Sequence, residues 1–481
     1  MKRSTLIEVL KSFTKQDIKE FGLFIQSAFF NTNQSVVKLF DQIKKQHPEF
    51  EDKLIEKRLL FEKAFGKIDF DDSFMRMTVF RIMELVKEFL IIKKLQKDNV
   101  LKDTILLEEL NERELNNLLM KSIDELEKII GKQIAKDSET YYTKYKLEYF
   151  KNDIKSRDTK MITYKDALNK DLMMEQKYFN TYFFINSLKF FQYFLNQKNY
   201  VVNADGYPDF ILDMLEYLKL NPEYLIDPEL NLYFNLVMLL ITNEDIYYSK
   251  LYIILFQDKD ELKLNSKHNL ITVLRNYTQQ KIHDGHSEYM NKLFEILKFS
   301  LKKEITSLTP SGKYMTETRF MTIVWSGLLV KEFGFTENFI KKYINKIDPE
   351  KRQYVSAYNS AKMEFERGEF KKALEYLKNS GQIKNVMYKA ASKQLNLMIC
   401  YELKMFISAE EHIDAFRHFI KTDKLLPEMY KTQCTDFINF FNRLLKLNDK
   451  NKKSIYEKEK LISELKSAPQ TWLLKKTLEI S

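Results

Sequence analysis

Apolar residues recur at three- and four-residue steps along most of this chain. Between Asp71 and Leu90 they fall at Met75, Val79, Ile82, Leu85, Val86 and Leu90, one stripe on a helix that Asp71, Asp72 and Ser73 open. Thr14 followed by Asp17 has the spacing of a reciprocal N-terminal cap and predicts a helix through Phe21, Phe24 and Ile25 to Phe29. The stretch from Phe29 to Gln34 then reads as a polar turn, and Val36 to Ile43 as a helix that Pro48 closes.

Longer helices are expected from Leu101 to Tyr200, broken near Gly131 and around Ser156 to Asp158. In the last of these, the aromatics from Tyr178 to Phe194 spread over most of the circumference, which predicts a helix walled in on several sides. Core packing and a ligand-stacking groove both fit such a helix, and aromatics at helical spacing usually fill space. Asn203, Asp205, Gly206 and Pro208 form the clearest turn cluster and the expected domain boundary. Beyond it the helices come in pairs of roughly fifteen residues each. Leu232 to Leu255 and Leu270 to Leu297 are pairs of irregular length, and the pairing is most regular between Met315 and Thr422.

Composition agrees with this pattern. The 481 residues hold only 10 glycines and 8 prolines, and from Glu49 to Asp205 there is no proline and just Gly66 and Gly131. Against an average of roughly 7% Gly and 5% Pro, so few turn residues leave no room for the short strands of a sandwich or barrel. The expected fold is all-α: an α-solenoid-like array of antiparallel helix pairs behind an N-terminal helical cap. The cap is assigned to residues 1–100, a long-helix segment to 101–205 and the helical-repeat region to 206–481.

Charge is distributed unevenly. Residues 1–150 hold 27 basic and 26 acidic side chains, residues 201–250 hold 2 and 9, and residues 301–481 hold 33 and 22, within a net charge of +10. The basic C-terminal part is either a solvated lysine-rich surface or a face for an acidic partner. The two cysteines, Cys400 and Cys434, sit in helical patterns with no partner at a metal-ligand spacing, which implies a reducing, cytoplasmic setting. The opening residues meet Glu8 too early for a secretion signal, and no apolar run is long enough to span a bilayer.

Residues 315–422 begin to repeat. Gly334 and Gly368 lie 34 residues apart and are expected in turns between paired helices, with Lys404 at the next such turn. Ala361, Gly368, Phe370 and Ala373 resemble the tetratricopeptide repeat: two small positions, a turn glycine and the aromatic that follows it. Tyr401, Phe406 and Ala409 fall near corresponding places in the next unit. Ala357, Ser360, Glu364 and Asn385 depart from the family pattern, and the preceding unit matches through Gly334, Phe335 and, loosely, Pro349. The segment from Ser27 to Phe50 is also similar to uncharacterised bacterial helical proteins, a likeness that implies no activity.

The resemblance implies a concave groove lined by the first helix of each pair. Its inward positions fall on Tyr358, Lys362, Gln394 and Met398, with Lys331 and Lys393 nearby. These six are the candidate partner-binding residues, and ordinary exposed helix positions are the plain alternative. The function expected is a non-catalytic adaptor that holds a peptide or partner domain, acidic or amphipathic, in that groove. The alternative is a nucleic-acid binder using the same basic region, where Lys and Arg alternate with Tyr and Phe.

No catalytic constellation is expected, and no cofactor. No two glycines lie within five residues of each other and no phosphate-binding loop occurs. His283 and His286 flank Asp284 and Gly285, yet two imidazoles and one carboxylate fall short of a metal site. His412 and His418, six residues apart on one helix, do not converge.

Overall fold

Where a short polar residue stands ahead of an apolar stripe, a helix begins. The computed structural model describes residues 4–66, 68–157, 165–198, 209–257, 260–305, 312–448, 455–467 and 471–480. Among these residues all regular structure is helical, in 23 α-helices and a few short 3-10 turns. No described helix is long and apolar enough to cross a membrane.

The chain divides into two compact units, one formed by residues up to Gln133 with Glu139–Tyr182, the other by Ile134–Ser138 with the residues from Phe183 onward. The first holds α1 (Thr5–Lys11), α2 (Lys15–Gln26), α3 (Gln34–Ile43), α4 (Lys57–Phe65), α5 (Asp72–Lys97), α6 (Asn99–Glu112), α7 (Asn116–Gly131) and nearly all of α8 (Ser138–Arg157). The division falls inside α9 (Lys165–Lys198). The turn cluster at Asn203 to Pro208 lies outside the described residues.

Thr14 caps α2 as expected: its hydroxyl accepts from the Asp17 amide at 3.1 Å, and the Asp17 carboxylate accepts from the Thr14 amide at 3.0 Å. Phe29, however, lies beyond the end of α2 and is 88% exposed. In α5 the buried stripe runs through Met75, Thr78, Ile82, Leu85, Val86 and Phe89, whereas Leu90 faces outward. The Thr78 hydroxyl joins this face because it donates to the Phe74 carbonyl at 2.8 Å, which removes the penalty of burying it. One core collects Phe21, Phe40, Met75, Ile82 and Val86 from α2, α3 and α5. A second joins α6, α7 and α8 through Leu107, Leu119, Ile123 and Phe150.

The aromatic helix α9 corrects the expectation of enclosure on several sides. Its buried stripe is Thr181, Phe184, Ile185, Leu188, Phe191, Gln192 and Leu195, while Phe179, Phe183, Phe190 and Tyr193 are exposed. A helix offers one apolar face per partner, and the exposed aromatics fall outside that stripe.

The second unit continues with α10 (Asp209–Leu220), α11 (Pro228–Thr242), α12 (Asp245–Gln257), α13 (Leu264–His283), α14 (Tyr289–Lys302), α15 (Glu317–Leu329) and α16 (Phe333–Tyr343). It closes with α17 (Arg352–Glu366), α18 (Phe370–Lys378), α19 (Val386–Glu402), α20 (Phe406–Thr422), α21 (Glu428–Asn448), α22 (Ile455–Ser467) and α23 (Thr471–Glu479). From α11 to α23 each helix packs on the next in sequence, and α15, α17, α19, α21 and α23 also pack on one another in that order.

Candidate functional site

Three inter-helix turns organise the region that carries the candidate residues. Lys331, Gly368 and Lys404, at intervals of 37 and 36 residues, each adopt a left-handed backbone with φ of 59°, 84° and 59°. At each one the following amide reaches back to the carbonyl five residues earlier: Glu332 to Gly327 at 2.8 Å, Glu369 to Glu364 at 2.9 Å and Met405 to Cys400 at 2.8 Å. This closure satisfies carbonyls that the helix end would leave open.

Positions around these three turns correspond. Phe333, Phe370 and Phe406 stand two residues after them. Thr336, Ala373 and Ala409 stand five after and are all fully buried, where only a small side chain fits between paired helices. Gly334, expected in a turn, instead lies exposed inside α16. Its alignment with Gly368 is therefore three residues out of step, because the turn needs a left-handed residue and Lys331 supplies it. Two departures from the repeat pattern also acquire a physical role. Asn385 caps α19, accepting from the Met387 amide at 2.9 Å, and Glu364 receives Arg367 at 2.9 Å.

Lys362, Gln394 and Met398, from α17 and α19, come together along a cleft of about 370 Å³ whose other wall includes Phe437 of α21 and Trp472, Leu473 and Lys475 of α23. Lys362 is paired with Glu366 at 2.7 Å, and its ammonium stands over the Phe365 ring at 5.2 Å. Helix α23 lies across three of the first helices. The Trp472 ring is 6.3 Å from Phe365 on α17, 5.5 Å from Tyr401 on α19 and 6.2 Å from Phe441 on α21, stacked on the last. Its indole Nε1 donates to Glu402 Oε1 at 2.9 Å, and Lys476 pairs with Glu402 Oε2 at 3.0 Å. Burial alone would lower the Lys476 pKa, but hydrogen bonds to Glu479 and Glu402 raise it, so the ammonium is held charged beside those carboxylates.

The remaining candidates lie elsewhere. Tyr358 is half-buried, packed on Tyr388 with ring centroids 5.3 Å apart, and burial pushes its phenol up to about 12. Lys393 points away from Gln394 into a separate cavity bounded by α18 and α20. Neighbours on a helix differ by ~100°, so residues 393 and 394 serve different faces. Lys331 is exposed at the turn after α15. The six candidates thus divide among a cleft, a second cavity, a packed tyrosine and a turn. Trp472 and Glu402 were not singled out from sequence; the available signal was that Trp472 is one of only 2 tryptophans and opens the apolar run Trp472, Leu473, Leu474.

The other polar candidates are simple in place. His283 and His286 flank the left-handed Gly285, each near a carboxylate, Asp284 at 3.7 Å and Glu288 at 3.4 Å. Among the described residues no three His, Cys, Asp or Glu side chains gather to hold a metal ion. Cys400 and Cys434 are free and buried, and burial pushes both thiols up, Cys434 to about 11. Comparison with protein-family models, with curated proteins and with solved structures finds no match to this chain.

Proposed function

We propose that this protein works by recognition, as a helical-repeat interaction module that holds an amphipathic helix of a protein partner against the inner faces of α17, α19 and α21. One observation carries the reading: that surface already grips a helix, α23, through a single aromatic anchor, Trp472, seated among Phe365, Tyr401 and Phe441 and fixed by Glu402. Helix-in-groove binding uses this economy of means, a few buried anchors with polar groups at the rim. Lys362 and Lys475 at the cleft favour acidic residues flanking the partner's anchor. The succession of left-handed turns and stacked odd-numbered helices supports a solenoid of the tetratricopeptide kind. The two free thiols support a reducing cytoplasmic setting.

The test is a titration followed by fluorescence anisotropy. A labelled amphipathic helical peptide with one tryptophan and flanking glutamates is added to the wild-type chain, to Trp472→Ala and to Lys362→Glu. Vacating the anchor site should tighten peptide binding, and reversing the charge should weaken it. A labelled random single-stranded oligonucleotide is titrated in parallel at two salt concentrations. Tight oligonucleotide binding that falls steeply with salt, with no response of the peptide to either substitution, would replace this reading with the nucleic-acid one.

A further inference from the structure

A cavity of about 450 Å³ opens between α18, the loop after it, α19 and α20. Residues 389, 393, 396 and 400 of α19 line it, the side of that helix turned away from Gln394 and Met398. Its lining includes the apolar Leu374, Leu377, Ile383 and Met405, with Asn396, Ser408 and His412. Its rim carries the ammonium groups of Lys378, Lys389 and Lys393, and no carboxylate belongs to the lining.

Within the described residues none of these lysines is paired with a carboxylate, and the Lys393 ammonium stands over the Phe419 ring at 5.8 Å. Three other lysines of the region are paired: Lys362 with Glu366 at 2.7 Å, Lys372 with Glu369 at 3.3 Å and Lys384 with Glu350 at 2.7 Å. Among the described residues no acidic side chain forms an ion pair with Lys378, Lys389 or Lys393. Lys389 and Lys393 are one helical turn apart, where like charges repel. Burial, with the neighbouring Lys389 charge, lowers the Lys393 pKa, so an anion placed there would relieve an existing strain. Ser392 also lines the cavity, with its hydroxyl oxygen buried and without a hydrogen-bond partner.

We propose that this cavity binds a small amphipathic carboxylate, its aliphatic chain against Leu374, Leu377, Ile383 and Met405, and its head group between Lys389 and Lys393. The volume lies in the range of small-molecule pockets, roughly 300 to 1,000 Å³. The site is separate from the α23 cleft and does not depend on how that cleft is used.

Isothermal titration of the full chain with decanoate, 1-decanol and inorganic phosphate tests this. Decanoate should bind at one site, about tenfold or more tighter than either control, since each control lacks one half of the interaction. The Lys389→Gln, Lys393→Gln double variant should lose about tenfold or more of decanoate affinity, the worth of a charge-assisted hydrogen bond. Leu377→Trp, which fills the cavity without touching the lysines, should also abolish binding and serves if the double variant does not fold. In methyl-labelled protein the Met405 resonance, assigned with Met405→Leu, should shift on decanoate addition. No heat from decanoate, equal affinity for decanol or phosphate, or undiminished decanoate binding in the folded variants each overturns the proposal.

Discussion

The Trp472 indole donates to Glu402 across 70 residues of sequence, at 2.9 Å, and so ties α23 to the C-terminal turn of α19. The bond ends on a carboxylate that Lys476 also pairs with, at 3.0 Å. Trp472→Phe keeps most of the ring packing and removes the donor, so it should cost about 1.5–3 kcal/mol, the range for a hydrogen bond to a charged group. Urea unfolding should show a lower midpoint with an unchanged slope. A midpoint equal to wild type would mean that α23 is held by stacking alone.

Gly327 is fixed by its neighbour on α16. A Cβ at this position would stand 2.3 Å from Thr336 Oγ1, so Gly327→Ala should destabilise by about 1–3 kcal/mol through overpacking. Thr336→Ala removes the obstructing oxygen and recreates the alanine found at the equivalent positions 373 and 409. The double variant should therefore recover most of the loss, a coupling readable in a double-mutant cycle by thermal unfolding. Additive losses would show that the clash is relieved some other way.

The left-handed turns differ in which residue occupies them. Lys404 holds φ of 59° and Gly368 φ of 84° in equivalent closures. A left-handed conformation costs an L-residue about 1–2 kcal/mol that glycine avoids. Lys404→Gly should accordingly stabilise by about 1 kcal/mol and Gly368→Ala should destabilise by a similar amount. Melting temperatures moving in opposite directions confirm the register, and a shift of the same sign in both denies it.

Acid should weaken the first unit through the α2 cap. The Asp17 pKa is lowered to about 2, first by the side-chain hydrogen bond with Thr14, then by the Thr14 backbone amide, with Lys93 adding to both. A depressed carboxyl pKa stabilises the fold above its unfolded value, near 3.9, and that contribution is lost as pH falls through about 2. Thr14→Ala should cost about 1 kcal/mol at neutral pH and move the Asp17 titration upward, as read by carboxyl carbon NMR shifts. The gap between variant and wild type should narrow as the pH approaches 2. A constant gap would assign the loss to the hydroxyl alone.

How far the sequence could be read depended on how local each feature is. The caps at Thr14 and Asp71 and the break at Gly131 were legible, because each is set within a few residues. So was the small residue at positions 361, 373 and 409. Val79 packs against the core as expected, but the burial of Thr78 and the choice of Phe89 over Leu90 were not legible, since two adjacent stripes on one helix have nearly the same spacing and the packing partner selects between them. The turn at Lys331 was misplaced to Gly334 because glycine is the usual marker of left-handed backbone, and here a lysine accepts it.

By itself the sequence determined an all-helical chain and its principal caps, because helix period, capping and turn chemistry act over distances of a few residues. Tertiary structure alone decided that Lys362, Gln394 and Met398 share a cleft with Trp472, that Lys393 faces the opposite side of its helix among unpaired cations, and that the α9 aromatics stay exposed. Those outcomes depend on which face of each helix meets which neighbour, a competition among buried surfaces far apart in the chain, and no local pattern encodes its result.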